Sequence, residues 1–399
     1  MTTHPNPLQF AAGLTRGAPL PSRRAEGWKY SDLARALREL PPESPAAEPS
    51  GQGPFVGMAE RELVFVNGRR QSTSSPLPLG EGDRAAGVVE RAREHHLIRE
   101  AAHHLLEAAR TVSPLHRPTD GPPPPRGEET VTLTGDLAVR FISDASGTAH
   151  ESRLRLHVPA NAAAILFESY EGRGEAYFAN TLIEITLERG SRLERIVLAD
   201  EPGSAVSVST AEVRLAPGAD FAQIVLTSGA KLQRLETHVR HPGAGAAVRL
   251  DGVYVLDGAR HADLTTAVEH EGETGTTSQL TKGAVRDTSR GVFQGRITVR
   301  EGADGTDARM GHHALILSER AEVDAKPELE IWADDVSCAH GATVGSLDAD
   351  ALFYAQARGM DETTAKALLT EAFLGEVLDR MGHGGAREVA RTWLQARLG

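Results

Sequence analysis

The stretch from about residue 130 to 347 constrains the fold most, because it consists of short strands separated by glycine turns and contains no helix-length pattern. Within it, NTLIEITLERGSRLERIVLAD indicates a strand, a turn at Arg189-Gly190 and a second strand. The turns at Pro217-Gly218 and Ser228-Gly229 repeat this unit. Coils that each bury an apolar face against the next produce such a pattern, so we expect a parallel β-helix. A β-sandwich also has short, regularly spaced strands and is the structural alternative.

Composition supports the stacked architecture. Aromatic residues make up only 5% of the chain, whereas it contains 40 glycines. A compact sandwich usually carries more aromatic rings, while many short strands joined by tight turns need glycine. The composition therefore favours the β-helix over the sandwich.

The chain divides into four predicted parts. Residues 1–115 form a mixed, partly helical N-terminal domain, and residues 116–130 form a proline-rich linker. Four consecutive prolines, Pro122 to Pro125, cannot continue a helix and favour an extended spacer. The β-helix core occupies residues 131–347, and a C-terminal helical domain occupies residues 348–399.

Three features stand out in the N-terminal part. Ser31 is placed to cap a short helix in SDLARALREL, and ELVFVNGRR predicts a strand that enters an Asn67-Gly68 turn. A long amphipathic helix follows over DRAAGVVERAREHHLIREAAHHLLEAAR. Its pairs His95–His96 and His103–His104 are interpreted as a solvated flank, because no carboxylate or cysteine is spaced to complete a metal site.

The C-terminal part predicts helices with clear boundaries. Asp348 is placed as the N-cap of a helix that ends at Gly359, and Asp361 begins the next helix. That second helix carries a wide apolar stripe. Its members are Ala365, Leu368, Leu369, Ala372, Phe373, Val377, Leu378 and Met381. So much apolar surface must pack on the core of this chain or on a partner protein.

Charge and cysteine content exclude several classes of protein. A net charge of −12 argues against a general nucleic-acid binder. No uninterrupted apolar stretch approaches the ~20 residues of a membrane span, and the first residues lack the pattern of a secretory signal. A single cysteine excludes an internal disulfide framework and every Cys-x-x-Cys metal site. A reducing cytoplasm is therefore the expected location.

The only cysteine, Cys338, lies two residues before His340 in DDVSCAHGATVG. In an extended segment these side chains point to the same side, where the imidazole would lower the pKa of the thiol or both groups would bind a transition metal. The alternative is a small buried cysteine beside a hydrogen-bonded histidine. His312 and His313 are adjacent in a probable strand, so they point to opposite faces and do not chelate one ion together.

Three segments together resemble the SufB/SufD family of iron–sulfur cluster assembly proteins. ELEIWADDVSCAHGATVGSLDADALFYAQARGM resembles the C-terminal signature of its SufD branch. TTSQLTKGAVRDTSRGVFQGRITV resembles the central family motif, and RRAEGWKYSDL resembles the N-terminal element. One departure is TDARMGHHALILS, where Met310, His312 and Ala314 stand at positions that the family usually fills with Gln and Asn. We assign these three residues no role.

The resemblance implies a right-handed parallel β-helix core flanked by N-terminal and C-terminal helical domains. It further implies a SufB-like paralogue paired at the end of the β-helix and a SufC-like ABC ATPase docked on the C-terminal helices. A nascent iron–sulfur cluster would form where the two β-helices meet, with His340 and Cys338 as metal ligands. A stable cluster usually needs four protein ligands, mostly thiolates, so this chain holds a cluster only within the complex. The sequence does not decide whether flavin also binds.

Three alternative functions are considered against the sequence features. A secreted β-helix polysaccharide lyase would hold Ca²⁺ with acidic residues such as Asp334 and Asp335, although these more often cap turns. A hexapeptide-repeat acyltransferase would use His340 as general base, but no strict six-residue repeat is present. A homodimeric scaffold without a SufB-like partner is the third alternative.

Overall fold

The computed structural model describes residues 20–71 and 128–398, in which two parallel sheets face each other along a β-solenoid. Consecutive strands from β3 onward alternate between an eight-stranded and a ten-stranded sheet. The eight-stranded sheet contains β3 (Glu128–Thr132), β5 (Ala149–Val158), β7 (Phe178–Leu187), β9 (Val206–Leu215), β11 (Leu232–His241), β13 (His261–His270), β15 (Arg290–Val299) and β17 (Glu322–Ile331). The ten-stranded sheet contains β1 (Arg61–Val66), β2 (Arg69–Arg70), β4 (Leu137–Ser143), β6 (Ala163–Gly172), β8 (Arg192–Asp200), β10 (Asp220–Thr227), β12 (Ala247–Leu256), β14 (Thr276–Val285), β16 (Thr306–Ile316) and β18 (Val336–Gly345). The prediction of a parallel β-helix is confirmed.

Coil length follows from the strand register. Arg192 pairs with Asp220, and Asp220 pairs with Ala247, so successive coils take 28 and 27 residues. Alternate side chains of both sheets point inward and form one continuous apolar core along the solenoid. Stacked coils, each contacting its neighbours, bury this core.

The turn glycines are needed at the corners of the coils. Gly243 has φ +70°, and a Cβ there would lie 2.3 Å from the backbone of Gly272 in the next coil. Only glycine tolerates both the left-handed conformation and this close approach. Gly190 and Gly218 also have positive φ, as the predicted turns require.

The central family motif forms β14 and β15, and its glycines make room for an aromatic ring inside the solenoid. A Cβ at Gly283 or Gly291 would lie 1.9 Å or 2.4 Å from ring atoms of Tyr254. The ring therefore occupies the space that these two glycines leave free. The glycines of this motif are therefore needed for the packing of side chains inside the solenoid.

The N-terminal segment lies across the outer face of the eight-stranded sheet. A 3-10 turn, Glu26–Trp28, and the short helix α1 (Leu33–Leu37) bring the Trp28 ring 4.4 Å from the guanidinium carbon of the buried Arg234. Ser31 was predicted to cap α1, and that prediction is wrong. Asp32 is the N-cap, whereas Ser31 is buried and donates a hydrogen bond of 2.5 Å to Asp263.

The hairpin of β1 and β2 turns at Asn67-Gly68, as predicted, and both residues have positive φ. β1 also pairs in parallel with β4 and extends the ten-stranded sheet. A strand from the predicted N-terminal domain thus belongs to the solenoid. The predicted helix with His95–His96 and His103–His104, and most of the linker around Pro122 to Pro125, lie outside the described residues.

Three helices follow the last strand: α2 (Ala349–Ala357), α3 (Glu362–Leu378) and α4 (Gly384–Leu398). Asp348 and Asp361 are the N-caps of α2 and α3, as predicted. Leu374, Val377 and Leu378 of α3 pack with apolar residues of α4 on the outer face of the ten-stranded sheet. In the described part of the chain, no helix has the length and apolar character needed to cross a membrane.

Buried histidines predict that the fold loses stability in acid. Burial lowers the pKa of His150, His261 and His312 to about 4 and that of His270 to about 3. The stability from keeping these rings neutral is complete above about pH 6.5, the unfolded value. It is lost as the pH falls toward 4, because the unfolded chain then binds more protons.

We expect the free energy of unfolding, obtained from urea titrations, to fall between pH 7 and pH 4.5 by an amount on the order of a few kcal/mol, with a corresponding fall of the urea midpoint. Five carboxyl groups act in the opposite direction, because burial raises their pKa values, and they make the net fall smaller than the histidines alone would give. They are Asp251, whose pKa is raised to about 7, and Glu62, Glu151, Glu201 and Glu212. His312→Asn should make the profile less steep. A midpoint that rises toward pH 5 would contradict the prediction.

Candidate interface at the open end of the β-helix

The two ends of the solenoid differ. At the N-terminal end, the β1–β2 hairpin covers the ten-stranded sheet, and Glu43 forms an isolated bridge with Ala149 beside the other sheet. At the C-terminal end, β17 and β18 are the last strands of their sheets, and each has a neighbouring strand on one side only. Both are ten residues long. This end therefore presents two long edge strands to a partner.

The backbone groups that face the free edge of β17 can be assigned from the hydrogen bonds on its other side. The N–H groups of Glu322 and Trp332 donate to carbonyls of Ser289 and Val299, on the β15 side. Because the backbone direction alternates, the odd-numbered residues of β17 face the free edge. These residues are Val323, Ala325, Pro327, Leu329 and Ile331. Pro327 has no N–H, so the edge lacks one donor at its centre.

The same alternation applies to β18, where the Asp335 carbonyl accepts from the Gly305 N–H on the β16 side. The even-numbered residues therefore direct their N–H and C=O groups to the free edge. These residues are Val336, Cys338, His340, Ala342 and Val344. A strand added to this edge would pair directly with the backbone of Cys338 and His340.

Cys338 and His340 lie on the same side of β18, as the sequence predicted. In the register, Cys338 lies next to Ala308 and His340 next to Met310, and both of these β16 residues are buried in the core. Cys338 is half-buried and packs against the core, while His340 is exposed. The imidazole is therefore available at the mouth of the solenoid.

The thiol of Cys338 is not activated. Its pKa is raised above the ordinary value, mainly because of burial and also because of the nearby Asp307 carboxylate. The expectation that the imidazole of His340 lowers this pKa is wrong, since packing of the sulfur against apolar neighbours dominates. In this conformation the thiol is protonated near pH 7, and an incoming metal would have to displace the proton.

The layer beneath His340 shows what the unusual residues of β16 do. A Cβ at Gly295 would lie 2.1 Å from the Met310 sulfur, so Met310 fills space that glycine leaves free. The buried His312 lies 3.0 Å from the Tyr254 hydroxyl through Nε2 and stacks on Phe293, with ring centroids 4.8 Å apart. A polar contact is thus present at position 312. Ala314 is also buried.

His313 lies on the outer face of β16, where Nδ1 is 2.7 Å from the Thr343 hydroxyl. The prediction that His312 and His313 point to opposite faces is confirmed. Asp334 and Asp335 lie in the turn before β18, where their N–H groups donate to the Asp304 carboxylate. Within residues 20–71 and 128–398, no three His, Cys, Asp or Glu side chains are grouped to hold a metal ion.

The C-terminal helices offer a second surface. The part of the predicted stripe nearest the end of α3 is buried, but Leu368 is 45% exposed. Phe353 and Tyr354 of α2 are 72% and 60% exposed. α3 is held on the sheet by ion pairs of Lys282 with Glu376 and of Arg380 with Asp251. These ion pairs attach the end of α3 to the sheet, and α2, which carries the exposed aromatic side chains, contacts α3.

One feature of the open end, a row of charged side chains on β17, was not predicted from the sequence. The outward positions of β17 are occupied by Glu322, Asp324, Lys326, Glu328 and Glu330. The strict alternation of charged and apolar residues in EVDAKPELEI is the signal that indicates such a strand. Only the position of β17 at the end of the sheet shows that this charged row lies along a free edge.

Comparison with known proteins shows which family this chain is similar to. Residues 141–373 match the family model described as "SUF system FeS cluster assembly, SufBD core domain". The iron–sulfur cluster assembly protein SufD of Escherichia coli is 30% identical over 386 residues, covering 95% of this chain and 89% of that protein. An iron–sulfur cluster assembly SufBD family protein of Synechocystis is 27% identical, with coverage of 94% and 87%. The chloroplastic protein ABCI7 of Arabidopsis thaliana is 28% identical over 280 residues, covering 68% of this chain and 59% of that protein.

Proposed function

This chain belongs to the SufB/SufD family of iron–sulfur cluster assembly proteins, and we propose that it is a non-catalytic, SufD-like scaffold subunit of a SufBCD-type complex. In this proposal it pairs with a SufB-like paralogue through β17 and β18 and docks a SufC-like ABC ATPase on its C-terminal helices. The observation that carries the proposal is the open end, where two ten-residue strands each have one free edge and one of them presents His340. The reducing cytoplasm is the compartment that suits a chain with one free thiol.

The nascent iron–sulfur cluster is the cargo of this assembly. Imidazole replaces thiolate at some iron–sulfur centres, so His340 is a competent ligand at the mouth of the solenoid. Cys338 is the only thiol of the chain and is half-buried. We therefore propose that this subunit donates His340, with Cys338 as a second and weaker ligand, and that the partner completes the site. Shared ligation of this kind suits a cluster that must later be released.

The aromatic surface on α2 is the proposed ATPase contact. Phe353 and Tyr354 are large, exposed and adjacent in the chain, and exposed aromatic residues are typical anchors of protein interfaces. Deleting all residues after Asp361 is a poor test, because α3 and α4 cover apolar residues of the ten-stranded sheet. Substitutions on α2 leave that core intact and test the contact directly.

We expect the double variant Phe353→Ala/Tyr354→Ala to retain less than about a tenth of the wild-type ATPase in co-purification from native cells. Thermal stability should be unchanged, because these rings are exposed. Leu40→Ala/Val56→Ala is the matched control, since both side chains are 41% exposed and lie far from α2 in the chain. Normal ATPase recovery with the aromatic variant would refute this docking surface.

Co-purification and enzyme assays with the wild-type protein test the proposed scaffold function as a whole. Co-purification with both an ABC ATPase and a larger paralogue supports a scaffold, whereas recovery of neither contradicts it. Turnover of polygalacturonate or acyl-CoA by the purified chain would instead support one of the enzyme alternatives.

A further inference from the structure

The row of charges along β17 restricts which strand can join this edge. The side chains of Glu322, Asp324, Glu328 and Glu330 point outward together with one cation, Lys326. On the adjacent β15, Arg290 and Arg296 lie at the register positions of Glu322 and Glu328. These arginines lie on the side away from the free edge, so a strand added at the edge meets the carboxylates first.

The nearby cations do not neutralise this row. Arg290 contacts both Glu322 and Asp324, at 3.6 Å and 2.6 Å, so one guanidinium serves two carboxylates. Lys326 is likewise shared between Glu328 and Glu26 of the N-terminal segment. Glu26 and the four carboxylates of β17 make five negative groups. The three positive groups beside them are Arg290, Arg296 and Lys326. A net charge of −2 therefore remains along the strand.

A second copy of this chain is a poor partner for the edge. In the antiparallel register centred on Lys326, Glu322 would lie opposite Glu330 of the other copy, and Asp324 opposite Glu328. Like charges directly opposite each other on neighbouring strands are destabilising. Two copies of Lys326 would also face each other. Every row of outward side chains would be repulsive in this register. The antiparallel register centred on Pro327 has the same overlap and places Lys326 opposite Glu328, but it sets Asp324 opposite Glu330 and brings the two prolines face to face.

Pro327 adds a backbone penalty to self-pairing. Its nitrogen faces the free edge and has no hydrogen, so an antiparallel pair of β17 strands lacks two N–H donors near its centre. A different strand joined to β17 encounters this defect only once. Both the charges and the backbone thus oppose self-pairing more than pairing with another strand.

We propose that the β17 edge selects a different polypeptide, whose edge strand carries Lys or Arg at its outward positions, and rejects a second copy of this chain. This inference rests on the proposed pairing through the open end. It identifies the partner strand by its charge and disfavours the homodimeric scaffold. The β18 edge contributes little to this selection, because its outward residues, Ser337, Ala339, Gly341, Thr343 and Gly345, are small and uncharged.

The test uses the full-length chain and the paralogue encoded in the same cells. The triple variant Glu322→Lys/Glu328→Lys/Glu330→Lys reverses exposed or half-exposed charges without removing the Asp324–Arg290 pair. Its matched control is Glu271→Lys/Glu273→Lys/Glu301→Lys, which makes the same change in net charge at exposed positions outside β17 and β18. We expect the edge variant to capture the paralogue at least about tenfold more weakly than the wild type does. The control variant should capture the paralogue as well as the wild type.

Changing the Lys and Arg residues on the outward face of the partner's edge strand to Glu should restore capture by the edge variant. Sedimentation of the wild-type chain alone should show a monomer at micromolar concentration in 150 mM salt. Unchanged capture by the edge variant, failed restoration, or self-association as tight as binding of the paralogue would each overturn the inference. Failure of the wild-type chain to capture any paralogue would instead refute the proposed pairing, so the two ideas fail separately.

Discussion

Replacing Asp263 by alanine is expected to lower the free energy of unfolding by about 3–5 kcal/mol, because it leaves the fully buried Arg234 short of a partner. The Asp263 carboxylate accepts from Arg234 at 2.6 Å, from Ser31 at 2.5 Å and from Gln294 at 3.1 Å. Its loss therefore leaves several buried donors unsatisfied at once. Glu236 remains beside Arg234 but cannot replace every one of these hydrogen bonds.

The urea midpoint measures this effect, and limited proteolysis of residues 20–37 shows whether the N-terminal segment detaches. Asp263→Asn is the matched control, because it keeps the shape and one acceptor oxygen and should cost less. Ser31→Ala should cost about 1–3 kcal/mol by leaving a buried acceptor with one donor fewer. If the free energy of unfolding of Asp263→Ala lies within 1 kcal/mol of the wild-type value, Arg234 is satisfied by other groups such as Glu236, and the prediction is wrong.

Replacing His340 by alanine is expected to reduce cluster-dependent enzyme activity at least about tenfold in cells that rely on this complex. The ring is exposed and packs on little, so folding and assembly should be unchanged. The physical reason is the loss of the proposed imidazole ligand at the proposed interface, where a partner would exclude water and strengthen the metal bond.

Two variants control this experiment. His313→Ala removes a histidine from the outer face of β16, close to His340 but not at the mouth, and should keep activity. Cys338→Ala should have a smaller effect than His340→Ala, because the thiol is half-buried and its pKa is raised. Wild-type activity of the His340→Ala strain, with a normally assembled complex, would remove His340 from the proposed site.

Several local features of the structure were predictable from neighbouring residues alone. The Asn67-Gly68 turn and the caps at Asp348 and Asp361 depend on backbone preferences and hydrogen bonds within a few residues. The pointing of Cys338 and His340 to one side follows from the period of a strand. Such features need no knowledge of what lies in the adjacent coil.

Features that depend on contacts between coils were not predictable in this way. Serine is a common N-cap residue, but Ser31 packs against the coil that contains Asp263, and its hydroxyl donates a hydrogen bond to that carboxylate. The pKa of Cys338 follows from packing on the neighbouring strand, and not from the histidine two residues away. Likewise, the apolar stripe of α3 indicated burial without indicating that Leu368 stays exposed.

The sequence by itself determined that this chain forms stacked strands with glycine corners and a helical tail, because period-two alternation and turn residues act locally. It also carried the motifs of the SufB/SufD family. Only the tertiary structure decided that β17 and β18 are the edge strands at the open end, that His340 is exposed there, and that four carboxylates line the edge of β17. The physical reason is that a strand's neighbours are set by the register of coils about 28 residues apart, a distance at which side-chain identity carries no information about position.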